Sequence, residues 1–333
     1  MEIFLNPPLY SGSSQNPARD GLHIGVVNIM PDSALEATER QFISLVGAAS
    51  GSVPVRLSFY TLPEVSRSAA GRRHVSSYIA ISDLWNANLD GLIVTGTESV
   101  AGKLTDEPCW LKLRELVEWA EDNTCSSVWS CLSAQAVVLH TDGIHRCPLE
   151  GKRFGIFDCR PSKDCDLTAG LPAQMRIPHS RWNEIPADIL GSHGYDILTI
   201  SERAGVDMFA KHRKSRLLCF QGHPEYEADT LLREYRRDIK RFLKGEIQTY
   251  PAIPEAYFSE EVSSRLMAFK ERAQAAAKEE ILADFPPDIA ASCGPVWQES
   301  AIQIYGNWLA YISQQKAHPS RTGVAFQGST IST

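Results

Sequence analysis

Between residues 23 and 140 the chain alternates short apolar runs with amphipathic segments, and this alternation limits the fold more than any other feature. Residues 23–30, 53–60, 90–96 and 126–129 read as strands. Residues 34–48, 78–85, 110–121 and 132–140 read as helices. Strand and helix in turn predict an α/β fold: a doubly wound, mostly parallel sheet with helices on both faces. Residues 67–74 read as a polar, basic loop. Residues 153–157, 195–201 and 215–220 add strands, and residues 230–244 a strongly charged helix. Prolines at 251 and 254 break the pattern, and helices are expected at 259–282 and 298–314, a helical C-terminal extension from about residue 251. The expected division is a polar segment at 1–20, one domain at 21–315, and a polar, aperiodic tail at 316–333 expected to be disordered.

Charge and cysteine usage narrow the function classes. Lys and Arg total 33 against 40 Asp and Glu, a net charge of −7, which argues against general nucleic-acid binding. No run approaches the roughly 18 apolar residues of a membrane span. Residues 1–20 lack the basic start and apolar core of a signal peptide, so a cytoplasmic protein is expected. The eight cysteines include no Cys-x-x-Cys pair, so neither a disulfide scaffold nor a metal site is expected. A homodimer is kept as the expectation for assembly.

Ligands on sheets of this kind lie beyond the carboxyl ends of the strands. Residues 28–31, residues 95–98 and Cys131 all fall there. Cys131 follows Ser127-Val-Trp-Ser130 and precedes Leu132-Ser-Ala134, where a strand turns into a helix. A helix N-terminus favours a thiolate and offers N–H groups to an oxyanion, the Leu132 N–H among them. No glycine flanks Cys131 within two residues, and taken alone it reads better as a buried structural thiol. Gln221-Gly-His-Pro-Glu-Tyr226 follows a strand, so Glu225 is placed to orient His223; a solvated loop histidine beside a capping acid fits that segment equally. Together, a thiol, an imidazole and a carboxylate can run covalent acyl transfer.

The combination of Cys131 with Gly222-His-Pro-Glu225 resembles the class I glutamine amidotransferase-like superfamily, whose fold is flavodoxin-like. The closer resemblance is to the homoserine O-acyltransferase family, which includes the homoserine O-succinyltransferases of methionine biosynthesis. It is carried by Asn28-Ile-Met-Pro31, Glu39-Arg-Gln-Phe42, Gly91-Leu-Ile-Val-Thr-Gly96, Ser133-Ala-Gln-Ala136, Pro178-His-Ser-Arg181, Glu202-Arg-Ala-Gly-Val206, Gly222-His-Pro-Glu-Tyr226 and Asn307-Trp-Leu309. The resemblance implies Cys131 as the acylated nucleophile, His223 as the base and Glu225 as its partner. It implies substrate contacts at Lys152 and Ser180, and at Arg237 to the amino-acid carboxylate. An arginine fork suits a carboxylate because it bonds both oxygens; spacing alone reads Arg237 as an exposed partner of Glu234 or Asp238.

The sequence departs from the family pattern in places. The family usually has Cys-Trp-Gly-Ala-Gln-Ala, and here the run is Cys131-Leu-Ser-Ala-Gln-Ala136. Asp32 and Ser33 stand where two lysines are usual, and Val100 falls nearest the position associated with succinyl or acetyl choice. The expected reaction is transfer of a succinyl or acetyl group from acyl-CoA, a co-substrate and not a resident cofactor, to the L-homoserine hydroxyl. Backbone N–H groups of Leu132 and Thr97 would hold the oxyanion. Arg67, Arg72, Arg73 and His74 suit CoA phosphates, or form a solvated basic loop. The competing activity is a glutamine amidotransferase or γ-glutamyl hydrolase with the same three residues, and a non-catalytic binding protein is a third reading.

Overall fold

The computed structural model describes residues 3–6, 21–276, 278–289 and 294–318. The first half holds β1 (Ile3–Asn6), β2 (Leu22–Val27), α1 (Asp32–Ala49), β3 (Val55–Tyr60), α2 (Ala69–Val75), α3 (Ile81–Leu84) and β4 (Gly91–Val94). It continues with α4 (Trp110–Asn123), β5 (Ser126–Ser130) and α5 (Leu132–Asp142). The second half holds β6 (Cys147–Pro161), β7 (Met175–Glu184), α6 (Ala187–Ser192), β8 (Asp196–Ser201), β9 (Gly205–His212) and β10 (Arg216–Phe220). Helices α7 (Thr230–Leu243), α8 (Glu260–Ala276) and α9 (Gln298–Ala317) complete it.

One ten-stranded sheet runs in the order β1-β3-β2-β4-β5-β10-β9-β8-β6-β7. Pairings from β1 to β10 are all parallel. Those from β10 to β7 are all antiparallel. Strands β4 and β5 are buried along their whole length, and β4, Gly91-Leu-Ile-Val94, reads as a continuous apolar run for that reason. Helices α4 and α5 cover one face through Leu113, Leu116, Val117 and Val137. On the other face α1 and α9 pack through Phe42, Val46, Trp308 and Ile312. Helix α9 is therefore a structural layer of the sheet, and its Trp308 Nε1 donates to Ser126 Oγ at 3.0 Å. Helices α7 and α8 close a third core over β6 and β7 around Ile177, Tyr235, Leu266 and Phe269. No helix among the described residues is long and apolar enough to cross a membrane.

Several sequence expectations change here. The basic segment at 67–74 is no loop: Ser68 Oγ accepts from Gly71 N at 3.2 Å and caps α2, while Arg72, Arg73 and His74 fill the last turn, where cations suit the helix dipole. Strands β1, β7 and β9 and helix α6 were not expected. The helix expected to reach residue 282 stops at Ala276, and Glu279–Asp284 is a 3-10 turn. Residues 316 and 317, expected in the tail, end α9, and Lys316 Nζ bonds Gly21 O at 2.9 Å and Asp90 Oδ2 at 2.8 Å. The rest of the expected tail from residue 319, and most of the segment at 1–20, lie outside the described residues.

Candidate active site

Cys131 sits between β5 and α5 with φ 50° and ψ −111°, one of two non-glycine residues of positive φ among the described residues. Such a conformation costs roughly 1–3 kcal/mol and persists only where the surroundings impose it. Three contacts do so. Cys131 N donates to Phe220 O at 2.8 Å, and Gln135 N donates to Cys131 O at 3.1 Å. Ser133 Oγ donates to Thr95 O at 2.7 Å. The glycine that the elbow needs comes from the next strand: a Cβ on Gly96 would lie 3.1 Å from Cys131 Cβ and 3.2 Å from Ser130 O. The backbone of Gly96 and the following half-buried Thr97 therefore runs beside the thiol-bearing residue. Leu132 opens α5 with its side chain buried. The three strand ends are also tied together, since Ile29 N donates to Thr95 Oγ1 at 3.0 Å.

His223 arrives on the turn after β10, the strand paired with β5, and both His223 and Glu225 are buried. His223 Nδ1 donates to Glu225 Oε1 at 2.9 Å. That bond keeps a proton on Nδ1 and makes Nε2 the nitrogen that gains or loses the second proton. Nε2 is buried and has Cys131 as its neighbour. Burial alone would favour the neutral ring, but the Glu225 carboxylate and the neighbouring Cys131 side chain outweigh burial and hold the His223 pKa well above the usual histidine value. Tyr226 stacks on the ring at 4.3 Å and 18°. Cys131, His223 and Glu225 thus meet at the point where the parallel part of the sheet joins the antiparallel part.

Lys152, Ser180 and Arg237 converge on a second cluster. Lys152 Nζ, from β6, lies 3.2 Å from Glu234 Oε2 and 3.0 Å from Asp238 Oδ2. Ser180 Oγ, from β7, donates to Glu234 Oε2 at 2.5 Å. Arg237 Nε, on α7, donates to Asp238 Oδ1 at 2.9 Å and its Nη2 lies 4.0 Å from Glu234 Oε2, so the ion-pair reading of its spacing holds together with its place in this cluster. Tyr226 OH donates to Glu234 Oε1 at 2.6 Å and so joins the cluster to the His223 ring. Burial would raise the Glu234 pKa, but Lys152, Arg237 and the hydroxyls of Ser180 and Tyr226 bring it down to about 2.

Sequence reasoning missed Glu234, Tyr226 and Gly96. Tyr226 directly follows the His-Pro-Glu run, and Gly96 lies two residues past β4; Glu234, on a helix full of charge, stood out only as a possible ion-pair partner of Arg237. Arg146 was also missed. It donates to Gln135 Oε1 at 3.1 Å, one turn from Cys131, and to Ser99 Oγ at 2.9 Å, so it steadies the loop leaving Gly96. Val100 is on that loop with its side chain 76 % exposed and its N–H bonded to Glu107 Oε2 at 3.2 Å. Of the basic segment, Arg67 is spent inside the fold on Met30 O at 2.7 Å and Thr61 Oγ1 at 2.9 Å, and His74 bonds Glu39 at 2.8 Å. Arg72 and Arg73 are exposed. A buried group of possible metal ligands, Cys159, His179 and Asp207, lies within 4.8 Å, behind the His223 turn.

A family model described as homoserine O-succinyltransferase matches residues 11–319. A homoserine O-succinyltransferase of Rhodopseudomonas palustris is 46% identical over 297 residues, covering 88% of this chain and 89% of that protein. One of Bradyrhizobium japonicum is 43% identical over 317 residues, covering 92% and 96%. Among solved structures, a glutamine amidotransferase from Methylobacillus flagellatus superposes with a TM-score of 0.49 at 15% identity, covering 88% of this chain and 96% of that one. The chain belongs to the homoserine O-succinyltransferase family.

Proposed function

We propose that the chain transfers a succinyl group from succinyl-CoA to the hydroxyl of L-homoserine through a thioester on Cys131, a step of methionine biosynthesis. The observation that carries this reading is Cys131 at positive φ on a helix N-terminus, next to a buried imidazole whose Nδ1 is committed to Glu225. His223 Nε2 takes the thiol proton, and the sulfur attacks the acyl-CoA carbonyl. The new C–S bond forms, the bond to CoA breaks, and the departing sulfur takes the proton from His223. Backbone N–H groups of Leu132 and Thr97 receive the oxyanion. The homoserine hydroxyl then gives its proton to His223 and attacks the thioester. The ester forms, the Cys131 bond breaks, and the proton returns to sulfur.

Lys152, Ser180, Glu234 and Arg237 hold the amino acid in this reading. Arg237 faces its carboxylate, and Glu234, which is ionised at neutral pH, faces its ammonium. Val100, on the loop leaving Gly96, biases the choice between succinyl and acetyl. The test is to mix the protein with succinyl-CoA alone. One equivalent of free CoA and a succinyl mass increment on the Cys131 peptide support the proposal. Release of ammonia from glutamine, without acylation, sinks it in favour of amidotransfer.

A further inference from the structure

The turn that carries His223 is clamped by residues the proposed reaction does not use. Gln221 N donates to Asp207 O at 2.7 Å and His223 N donates to Pro178 O at 2.8 Å, so β9 and β7 grip it from two sides. Gly222 lies between them. A Cβ there would come within 2.2 Å of Asp207 Oδ1 and 3.0 Å of His179 Cε1. The Asp207 carboxylate thus fills the place of a side chain at 222. Thr199 Oγ1 donates to Asp207 Oδ2 at 2.7 Å, and His179 Nε2 stands 3.5 Å from Asp207 Oδ1. His179 and Asp207 are each at most 1% exposed, and the two facing atoms have no hydrogen bond among the described residues, so each has only the other across 3.5 Å.

Two arrangements suit such a pair. With Cys159 within the same 4.8 Å, the three side chains could ligate a cation. The surroundings oppose this. Arg181 Nε–H points at His179 Nδ1 from 3.5 Å, which puts the ring proton on Nε2, facing Asp207. Metal binding through Nε2 would move that proton to Nδ1, against the guanidinium. The charges of Arg181 and Arg153 also add to burial in keeping His179 neutral.

We propose that Asp207, oriented by His179 and Thr199, is a positioning residue for His223: it locks the Gln221-Gly222-His223 turn and sets a second buried carboxylate behind the ring. The groups around Asp207 are Cys159 from β6, His179 and Arg181 from β7, Thr199 from β8, and His223 and Glu225 from the turn. Burial raises the Asp207 pKa to about 6, opposed first by the Thr199 hydrogen bond and then by the charges of Arg181 and His223. By reciprocity, ionised Asp207 favours the imidazolium.

The role assigned to His223 in catalysis rests on the reading above, so the test separates the two. In full-length protein carrying Cys131→Ala, the His223 ring is titrated by NMR with and without Asp207→Asn. A lower His223 pKa in the Asn variant is expected; an unchanged value overturns the proposal whatever reaction the enzyme performs. In the Cys131 protein, Asp207→Asn should lower kcat roughly tenfold with the acceptor KM retained. An equal loss through the folded fraction alone overturns it. If Asp207→Asn does not fold, His179→Gln carries the test: lowered kcat at constant KM supports the clamp, and unchanged kcat refutes it. One tightly held zinc per chain, lost in Asp207→Asn, would also overturn it by making the group a metal centre.

Discussion

The parallel and antiparallel halves of the sheet build their parts of the site by different means. In the parallel half the backbone does it: β4 and β5 are wholly buried, and the position of Cys131 follows from a forced φ and a glycine on the next strand. In the antiparallel half, paired charges do it. Lys152, Glu234, Asp238 and Arg237 hold one another, and Asp207, facing the neutral His179, packs against the turn that carries His223. A nucleophile needs one fixed location, and hydrogen-bonded backbone gives that. Recognition of a charged amino acid needs countercharges kept out of water, and paired side chains give that.

Four experiments put that contrast under load. Cys131→Ala should cut turnover by at least about a thousandfold while leaving the unfolding midpoint near that of the unaltered protein. CoA release and thermal melting measure the two quantities, and retained turnover would place the nucleophile elsewhere. Gly222→Ala should cost about 3 kcal/mol, at the upper end for overpacking, because a methyl group has no space beside the Asp207 carboxylate. Urea denaturation reads this directly, and a neutral result would mean that the clamp yields.

Acid should strike the antiparallel half first. Glu234 has its folded pKa lowered to about 2 from the ordinary 4.5, so its stabilisation is complete above about pH 4.5 and is lost as pH falls toward 2. The loss is of order 3 kcal/mol. Stability measured against pH should therefore slope across that window, and the slope should flatten in Glu234→Gln. The smallest effect is expected at Val100, whose side chain is mostly exposed. Val100→Glu should reduce the rate with succinyl-CoA relative to acetyl-CoA by a few-fold, since a carboxylate on that loop repels the succinyl carboxylate. Parallel assays with the two donors measure the ratio, and an unchanged ratio removes Val100 from acyl choice.

The same contrast governs what the sequence discloses. The parallel strands are legible by their apolar residues, as the unbroken run Gly91–Val94 or the alternation of Val55–Tyr60. Strand β7 was not legible. It carries Arg176, Pro178, His179 and Arg181, and the partners of its polar groups lie far along the chain, such as Ala204 O for Arg181 and Asp207 facing His179. Pro178 is tolerated because β7 is the last strand of the sheet. Within the site, Cys131, His223 and Glu225 could be picked out by residue type and motif. Glu234 could not, because its character depends on Lys152, Ser180 and Tyr226 arriving from elsewhere. Gly96 was visible as a residue, but its use by Cys131 belongs to the packing of two adjacent strand ends.

The bond from Cys131 N to Phe220 O has a wider consequence. Phe220 is paired with Ser130, so sulfur and imidazole are spaced by counting residues along one ladder: one past the pair on β5, three past it on β10. Flanking loops can lengthen, and the pocket lining can be rewritten for another alcohol or acid, without disturbing that count. A one-residue slip in this seam would separate the reacting atoms at a stroke. Such an architecture keeps its chemistry in a single joint and leaves its substrate range free to drift.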